Sequence, residues 1–192
     1  MFVLNPEIKC LKEPKTNPLY DYYKTEGEIL KYIDKYKKIL LFGAANGNLY
    51  KDLKFAQNIV CGVEFNEEMV NMIDNKSNSI FLVNNMLENA SDTQEKFDHI
   101  IIHLVFHYLS AEEKNKLLIN VYSNLKDNGS IIISGVIFAN KAHLIETRRK
   151  YLDIWDEDFD YLVIDKMVEE LSIKKYDFTK LTPLSSVFVI YK

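Results

Sequence analysis

Two groups of residues have types and spacings that could do chemistry. The first lies in ILLFGAANGNLYKDL, residues 39–53, where Gly43 and Gly47 stand four apart behind an apolar run, in a chain with six glycines among 192 residues. Glycine lets a backbone turn sharply and approach a ligand with no Cβ in the way. The helix expected to follow offers its first N–H groups to a negative group, and Asn46 and Asn48 tolerate the left-handed backbone such a turn needs. Glu64 comes 21 residues after Gly43 at the end of the next apolar run, where a carboxylate can accept both hydroxyls of a ribose. A glycine turn alone, or an acid at a strand end alone, is common and carries little. The two together point to a ribose-containing cofactor. A dinucleotide fingerprint G-x-G-x-x-G is poorly matched, because the three positions counted from Gly43 are Gly43, Ala45 and Asn48.

The second group is HLVFHYL, with His103 and His107 four apart just past an apolar run. A short helical turn there puts both rings on one face. With an ordinary imidazole pKa near neutrality, His107 is the candidate general base for a hydroxyl or ammonium, against the plainer reading of two packing histidines. No metal is expected, since there is no HExxH glutamate and neither Cys10 nor Cys61 has metal-ligand spacing. Trp155 stands among Asp153, Asp156, Glu157, Asp158 and Asp160, a setting for a cationic substrate or a solvated acidic face.

The elements that must position these residues read as follows. Pro6, Pro14 and Pro18 mark residues 1–18 as an irregular arm. Residues 19–36 carry Tyr22, Tyr23, Glu26, Ile29, Leu30 and Ile33 at helical spacing, with Gly27 a weak spot. Strand 39–43, helix 47–56, strand 59–64, helix 66–75, strand 80–84 and strand 98–103 follow, then helix 111–125 and strand 130–137 after Asn128-Gly129. Helices are expected around 140–152 and 160–171, then strands IKKYDF and SSVFVIYK joined by about seven residues that include Pro183. Unbroken apolar strands alternating with helices predict an α/β fold with a mostly parallel sheet covered on both faces. The short last link allows only an antiparallel pair.

Composition narrows the partners. A formal charge of -4, from 24 Lys+Arg against 28 Asp+Glu, gives no basic surface for nucleic acid, and the longest basic cluster is Arg148-Arg149-Lys150. No run reaches the roughly 18 apolar residues that span a bilayer, and MFVLNPEIKCLKEPK has no basic n-region with a long apolar segment behind it. A single cytoplasmic domain is expected, acting on a small molecule and not on nucleic acid or membrane; nothing in the sequence specifies an oligomeric state.

The order of these segments resembles the class I S-adenosylmethionine-dependent methyltransferases of small-molecule type, over roughly residues 35–192. ILLFGAANGN is similar to that family's first motif, GVEFNEEM to its acidic second-strand motif, FLVNNMLE to its third and FDHIIIHLVFHYLS to its fourth; LKDNGSIIIS is similar to its fifth strand with the preceding glycine turn. The resemblance implies a Rossmann-like sheet of seven strands with one antiparallel C-terminal strand, and S-adenosylmethionine as cofactor. It implies that Gly43, Ala44, Ala45 and Gly47 approach the methionine part, that Glu64 holds the ribose, and that Phe65 and Met69 flank the adenine. Asn85, with Met86 beside it, accepts from the adenine amino group, and His103 and Leu104 line the cofactor. The 19–36 helix is implied as a lid whose Tyr20 or Tyr23, with His107, meets the substrate. Three positions depart from the family: Leu41 replaces the first-strand acid that faces the methionine ammonium, Ala45 the middle glycine and Asn85 an Asp. The implied activity is methyl transfer to an O or N atom. Leu41 and Ala45 keep open an inactive scaffold of the same fold, and a nicotinamide-dependent oxidoreductase is the third reading.

Overall fold

The computed structural model describes residues 21–44, 47–64, 80–82 and 95–192. The expected arm 1–18, the helix 66–75, the end of the strand 80–84, and Tyr20, Ala45, Phe65, Met69, Asn85 and Met86 lie outside them.

One sheet organises the chain. Its strands are β1 (Lys38–Phe42), β2 (Ile59–Glu64), β3 (Ile80–Leu82), β4 (Phe97–His103), β5 (Leu125–Gly135), β8 (Tyr176–Thr182) and β9 (Ser185–Tyr191), in the order β3-β2-β1-β4-β5-β9-β8. The first five run parallel, and β9 is antiparallel to both of its neighbours. These are the seven strands and the antiparallel C-terminal strand that the sequence predicts.

The unbroken apolar runs have a physical cause. Leu40, Phe42, Ile100, Ile102, Ile131, Ile133, Phe188 and Ile190 pack in one core, while Ile39, Leu41, Ile101, Ile132, Val187 and Val189 pack in another. Successive side chains point to opposite faces, so a strand covered on both sides must be apolar at every position. The first face is covered by α3 (Ala111–Ser123), through Leu117, Leu118 and Val121, and by α5 (Ile164–Glu170), through Ile164 and Met167. The second is covered by α1 (Tyr22–Leu30), through Ile29, and by α2 (Asn48–Phe55), through Leu49, Tyr50 and Leu53.

Local signals set the boundaries. Asp21 caps α1 by accepting from Lys24 N at 2.9 Å, and its own N–H donates to Ser185 Oγ at 2.9 Å, which fixes the start of α1 beside the start of β9. The helix ends at Leu30, short of the expected residue 36, because the chain must reverse into β1 and does so through Tyr36 at φ 62. Ser110 and Glu113 form a capping box on α3.

Three boundaries differ from expectation. The fifth strand starts at Leu125, because Phe97 pairs with Leu125 ahead of a bulge that carries Asn128 at φ 63. Its expected end separates as β6 (Ile137–Phe138), which pairs in parallel with β7 (Leu162–Val163), so the helix expected from residue 160 begins at Ile164. The last two strands are joined through Pro183 and Leu184 and not by about seven residues, since Thr179–Thr182 continue the pairing with β9. A further helix, α4 (Lys141–Lys150), is capped by Asn140. No helix among the described residues is long and apolar enough to cross a membrane.

Candidate active site

Between β1 and β4 the strand order reverses, and in a sheet of this kind the carboxyl ends of the strands at that point form the ligand crevice. Phe42 is in register with Val63, which sets Gly43 beside Glu64 at the tips, and Gly43 N donates to Val63 O at 3.0 Å. Gly43 has φ 78, and a Cβ there would lie 2.1 Å from His103 O and 2.8 Å from Val105 Cγ2. Only glycine lets β1 and β4 close at this point. Gly47, at φ 80, caps α2 without a side chain, and its N–H donates to Ala44 O at 2.9 Å to close the turn. Ala44 is buried, and so is Glu64, at 3% exposure. The structure thus places the glycine turn and the acid side by side.

At the tip of β4, His103 is paired across the sheet with Ser134, whose Oγ lies 2.7 Å from its Nδ1. Its Nε2 faces Glu26 Oε1 of α1 at 3.9 Å. Burial pushes the imidazole pKa down to about 4, so the ring is neutral. Leu104 follows in the left-handed region at φ 58, a conformation that costs a branched side chain of order 1 kcal/mol, and its N–H donates to Ser134 O at 2.9 Å.

The expectation that His103 and His107 share one helical face is corrected. The kink at Leu104 and a 3-10 turn at Phe106–Tyr108 separate them, and they look to opposite sides of the sheet. His103 meets α1, whereas His107 stacks on Tyr108 at 4.2 Å and on Phe159 at 4.7 Å. The near-neutral titration expected of His107 is corrected too. Burial, and then the Lys114 ammonium, lower its pKa to about 3, which makes it a poor general base.

Lys114, buried on α3, donates to Leu109 O at 2.6 Å and to Asp160 O at 2.5 Å, and lies 3.3 Å from Asp160 Oδ1. Asp160 N donates to His107 O at 3.2 Å. The acidic segment is therefore stapled down, and its carboxylates are partly matched: Asp160 to Lys114, and Glu157 to Arg148. Trp155 packs on Tyr161 at 4.5 Å and on Phe138 at 5.9 Å, with Lys180 Nζ 4.8 Å from the Phe138 ring on the strand side. Tyr23, by contrast, is 67% exposed on α1.

Sequence reasoning missed Glu26, Ser134, Lys114 and Lys180. Glu26 carried a signal: it falls on the apolar stripe of its helix, where a carboxylate has no structural reason to be. A cavity of about 470 Å³ between α3 and the C-terminal strands, lined by Leu118, Tyr122, Ile131, Leu171 and Ile190, lies away from the strand tips where the ligand signals converge.

The fold is that of a Rossmann-like protein, with the glycine turn and the buried acid side by side at the β1–β2 tips. A methyltransferase-domain family model matches residues 40–131. A methyltransferase of Oceanobacillus iheyensis, itself uncharacterized, is 26% identical over 151 residues, covering 73% of this chain and 68% of that protein; other curated relatives from Bacillus are spanned for about half their length, 49%. A SAM-dependent methyltransferase of Archaeoglobus fulgidus superposes with a TM-score of 0.67 at 16% identity, covering 87% of this chain and 92% of that one. The N-methyltransferase NodS of Bradyrhizobium japonicum, solved with S-adenosyl-L-homocysteine, superposes with a TM-score of 0.65 at 13% identity over 98% and 93%. These likenesses support a class I S-adenosylmethionine-dependent methyltransferase with S-adenosylmethionine as its cofactor.

Proposed function

We propose that this methyltransferase moves the methyl group of S-adenosylmethionine to an O or N atom of a small cytoplasmic molecule. The observation that carries the site is the register of β1 and β2, which sets the Cβ-free turn at Gly43 against the buried carboxylate of Glu64. These residues fit the cofactor: Gly43, Ala44 and Gly47 leave room for its methionine part, and Glu64 is the acceptor for its ribose hydroxyls. Ala45, Phe65, Met69, Asn85 and Met86 keep the roles the family resemblance gives them. His103 and Leu104 wall the crevice at β4.

When bound, the cofactor would supply a sulfonium methyl group, to whose carbon an acceptor lone pair would bond as the S–CH3 bond breaks, releasing S-adenosylhomocysteine and the acceptor's proton to water. The leaving group is already good, so holding the acceptor at about 3 Å supplies most of the acceleration. The two tip histidines agree with this: both are kept neutral by burial, and neither is tuned to take a proton near pH 7. Catalysis by positioning replaces His107 as general base. Tyr23, exposed on α1, and Tyr20 are assigned to a lid over the substrate. The formal charge of -4 favours a small acceptor over nucleic acid.

The test is methyl-labelled S-adenosylmethionine incubated with the protein and a fractionated cell extract. Label is expected in the low-molecular-weight fraction, on O or N. Label confined to protein or nucleic acid would overturn the small-molecule assignment.

A further inference from the structure

Glu26 is a buried carboxylate that faces no cation among the described residues. It is 8% exposed, on the face of α1 that also carries Ile29 into the core with Leu41. Among the described residues it has no hydrogen-bond donor, and the nearest titratable nitrogen, His103 Nε2 at 3.9 Å, is beyond bonding distance. That ring is held neutral by burial and so provides no charge. The other charged group that acts on Glu26 is Asp52 of α2, which repels it; burial first, and Asp52 second, raise its pKa to about 7. Packing does not require such a residue, since an isosteric amide or an apolar side chain would avoid the cost of desolvating a carboxylate.

Its place in the fold says what it is for. The N-terminus of α1 is tied to Ser185 at the start of antiparallel β9, the same edge as the parallel strand tips, and Glu26 reaches the tip residue His103. His103 O in turn lies against Gly43, the turn that borders the cofactor crevice. Leu41, on the same face of β1, is fully buried in apolar core and offers no charge there. A cationic group entering the crevice past Gly43 therefore finds its anion on α1 and not on β1.

We propose that Glu26 receives the α-ammonium of the cofactor's methionine tail, so that α1 supplies the charge that β1 lacks. This rests on the cofactor site described above. Ligand binding then brings the missing counter-ion to a carboxylate that is costly in the free protein.

The experiment is calorimetric titration of the full chain with S-adenosylhomocysteine and with 5′-methylthioadenosine, which keeps the adenosine and sulfur but has no amino-acid tail. Glu26→Gln is expected to weaken S-adenosylhomocysteine binding by about tenfold or more and to leave methylthioadenosine unchanged. Glu28→Gln, two residues along and paired with Lys31 at 2.6 Å, is expected to change neither. Glu26→Gln is also expected to raise the melting temperature of the free protein at pH 8, the opposite of what loss of a structural contact would do.

A readout that needs no variant is the carbon-13 resonance of the Glu26 carboxyl: its titration should fall into the ordinary carboxylate range on adding S-adenosylhomocysteine and stay put with methylthioadenosine. Among the described residues, the titratable groups that act on it are His103 of β4 and Asp52 of α2. Equal losses for both ligands, no loss for either, or an unmoved carboxyl overturn the proposal. A wild-type chain that binds neither ligand removes the cofactor site itself, and this inference with it.

Discussion

The two sides of the strand tips handle buried charge in opposite ways. On the α1–α2 side, Glu26 is a carboxylate at 8% exposure that, among the described residues, faces a neutral histidine and the like charge of Asp52. On the α3 side the buried ion is Lys114, and it is satisfied within the fold by two carbonyls and the Asp160 carboxylate. An ion with its partners inside the protein rigidifies; an ion without them is an energetic debt until a ligand arrives. The comparison teaches which side is scaffold and which is site. His107, stacked and stapled through Asp160, belongs to the scaffold, while His103, between Ser134 and Glu26, belongs to the site.

The comparison can be broken first at the point where the two sides meet. Gly43→Ala puts a Cβ into His103 O at a positive φ, and is expected to cost about 3 kcal/mol in urea unfolding; a near-neutral result would mean that β1 and β4 do not close as described. Lys114→Met should cost about 1–3 kcal/mol by leaving the Leu109 and Asp160 carbonyls unpaired. It should also shift Trp155 fluorescence, since the segment holding that ring is released; a silent Trp155 would show that the staple is not what holds it.

Acid separates the buried histidines from Glu26 by sign. His103 and His107 have folded pKa values lowered to about 4 and about 3, so the unfolded chain takes up protons first as pH drops below about 6.5. Their contribution to stability is present above that pH and is lost toward the folded values, at up to about 1.4 kcal/mol per pH unit for each group. Glu26, raised to about 7, runs the other way: its contribution is full below the ordinary carboxylate value and is lost as pH rises through 7. His107→Phe should therefore flatten the acid limb of stability against pH, and Glu26→Gln the neutral limb. The smallest effect is expected at Tyr23, where exposure of 67% puts Tyr23→Ala within about 0.5 kcal/mol of wild type in stability.

What could be read from the sequence follows the same division. The strands at Ile39–Phe42, Ile100–Ile102 and Ile131–Ile133 were legible because burial on both faces writes itself as an unbroken apolar run, and the pair Gly43 and Glu64 because register follows from the parallel strands. The two-residue strands at Ile137 and Leu162 were not, being too short to show a period. Thr179–Thr182 was not, because an edge strand with Lys180 in it reads as a loop. Lys114 reads as a solvated helix lysine, and its burial comes from Asp160, 46 residues on. His107 reads as a titrating base until Phe159 covers it. Glu26 was counted in the helical stripe of α1 without its charge being weighed.

The central claim is that the turn at Gly43 and the Glu64 carboxylate border one adenosine site. Calorimetric titration of wild type and Glu64→Ala with S-adenosylhomocysteine, with NAD as the control, tests it most directly. The account predicts that wild type binds S-adenosylhomocysteine and not NAD, and that Glu64→Ala loses about 1.5–3 kcal/mol, the range for hydrogen bonds to a charged group; unchanged affinity in Glu64→Ala would contradict it.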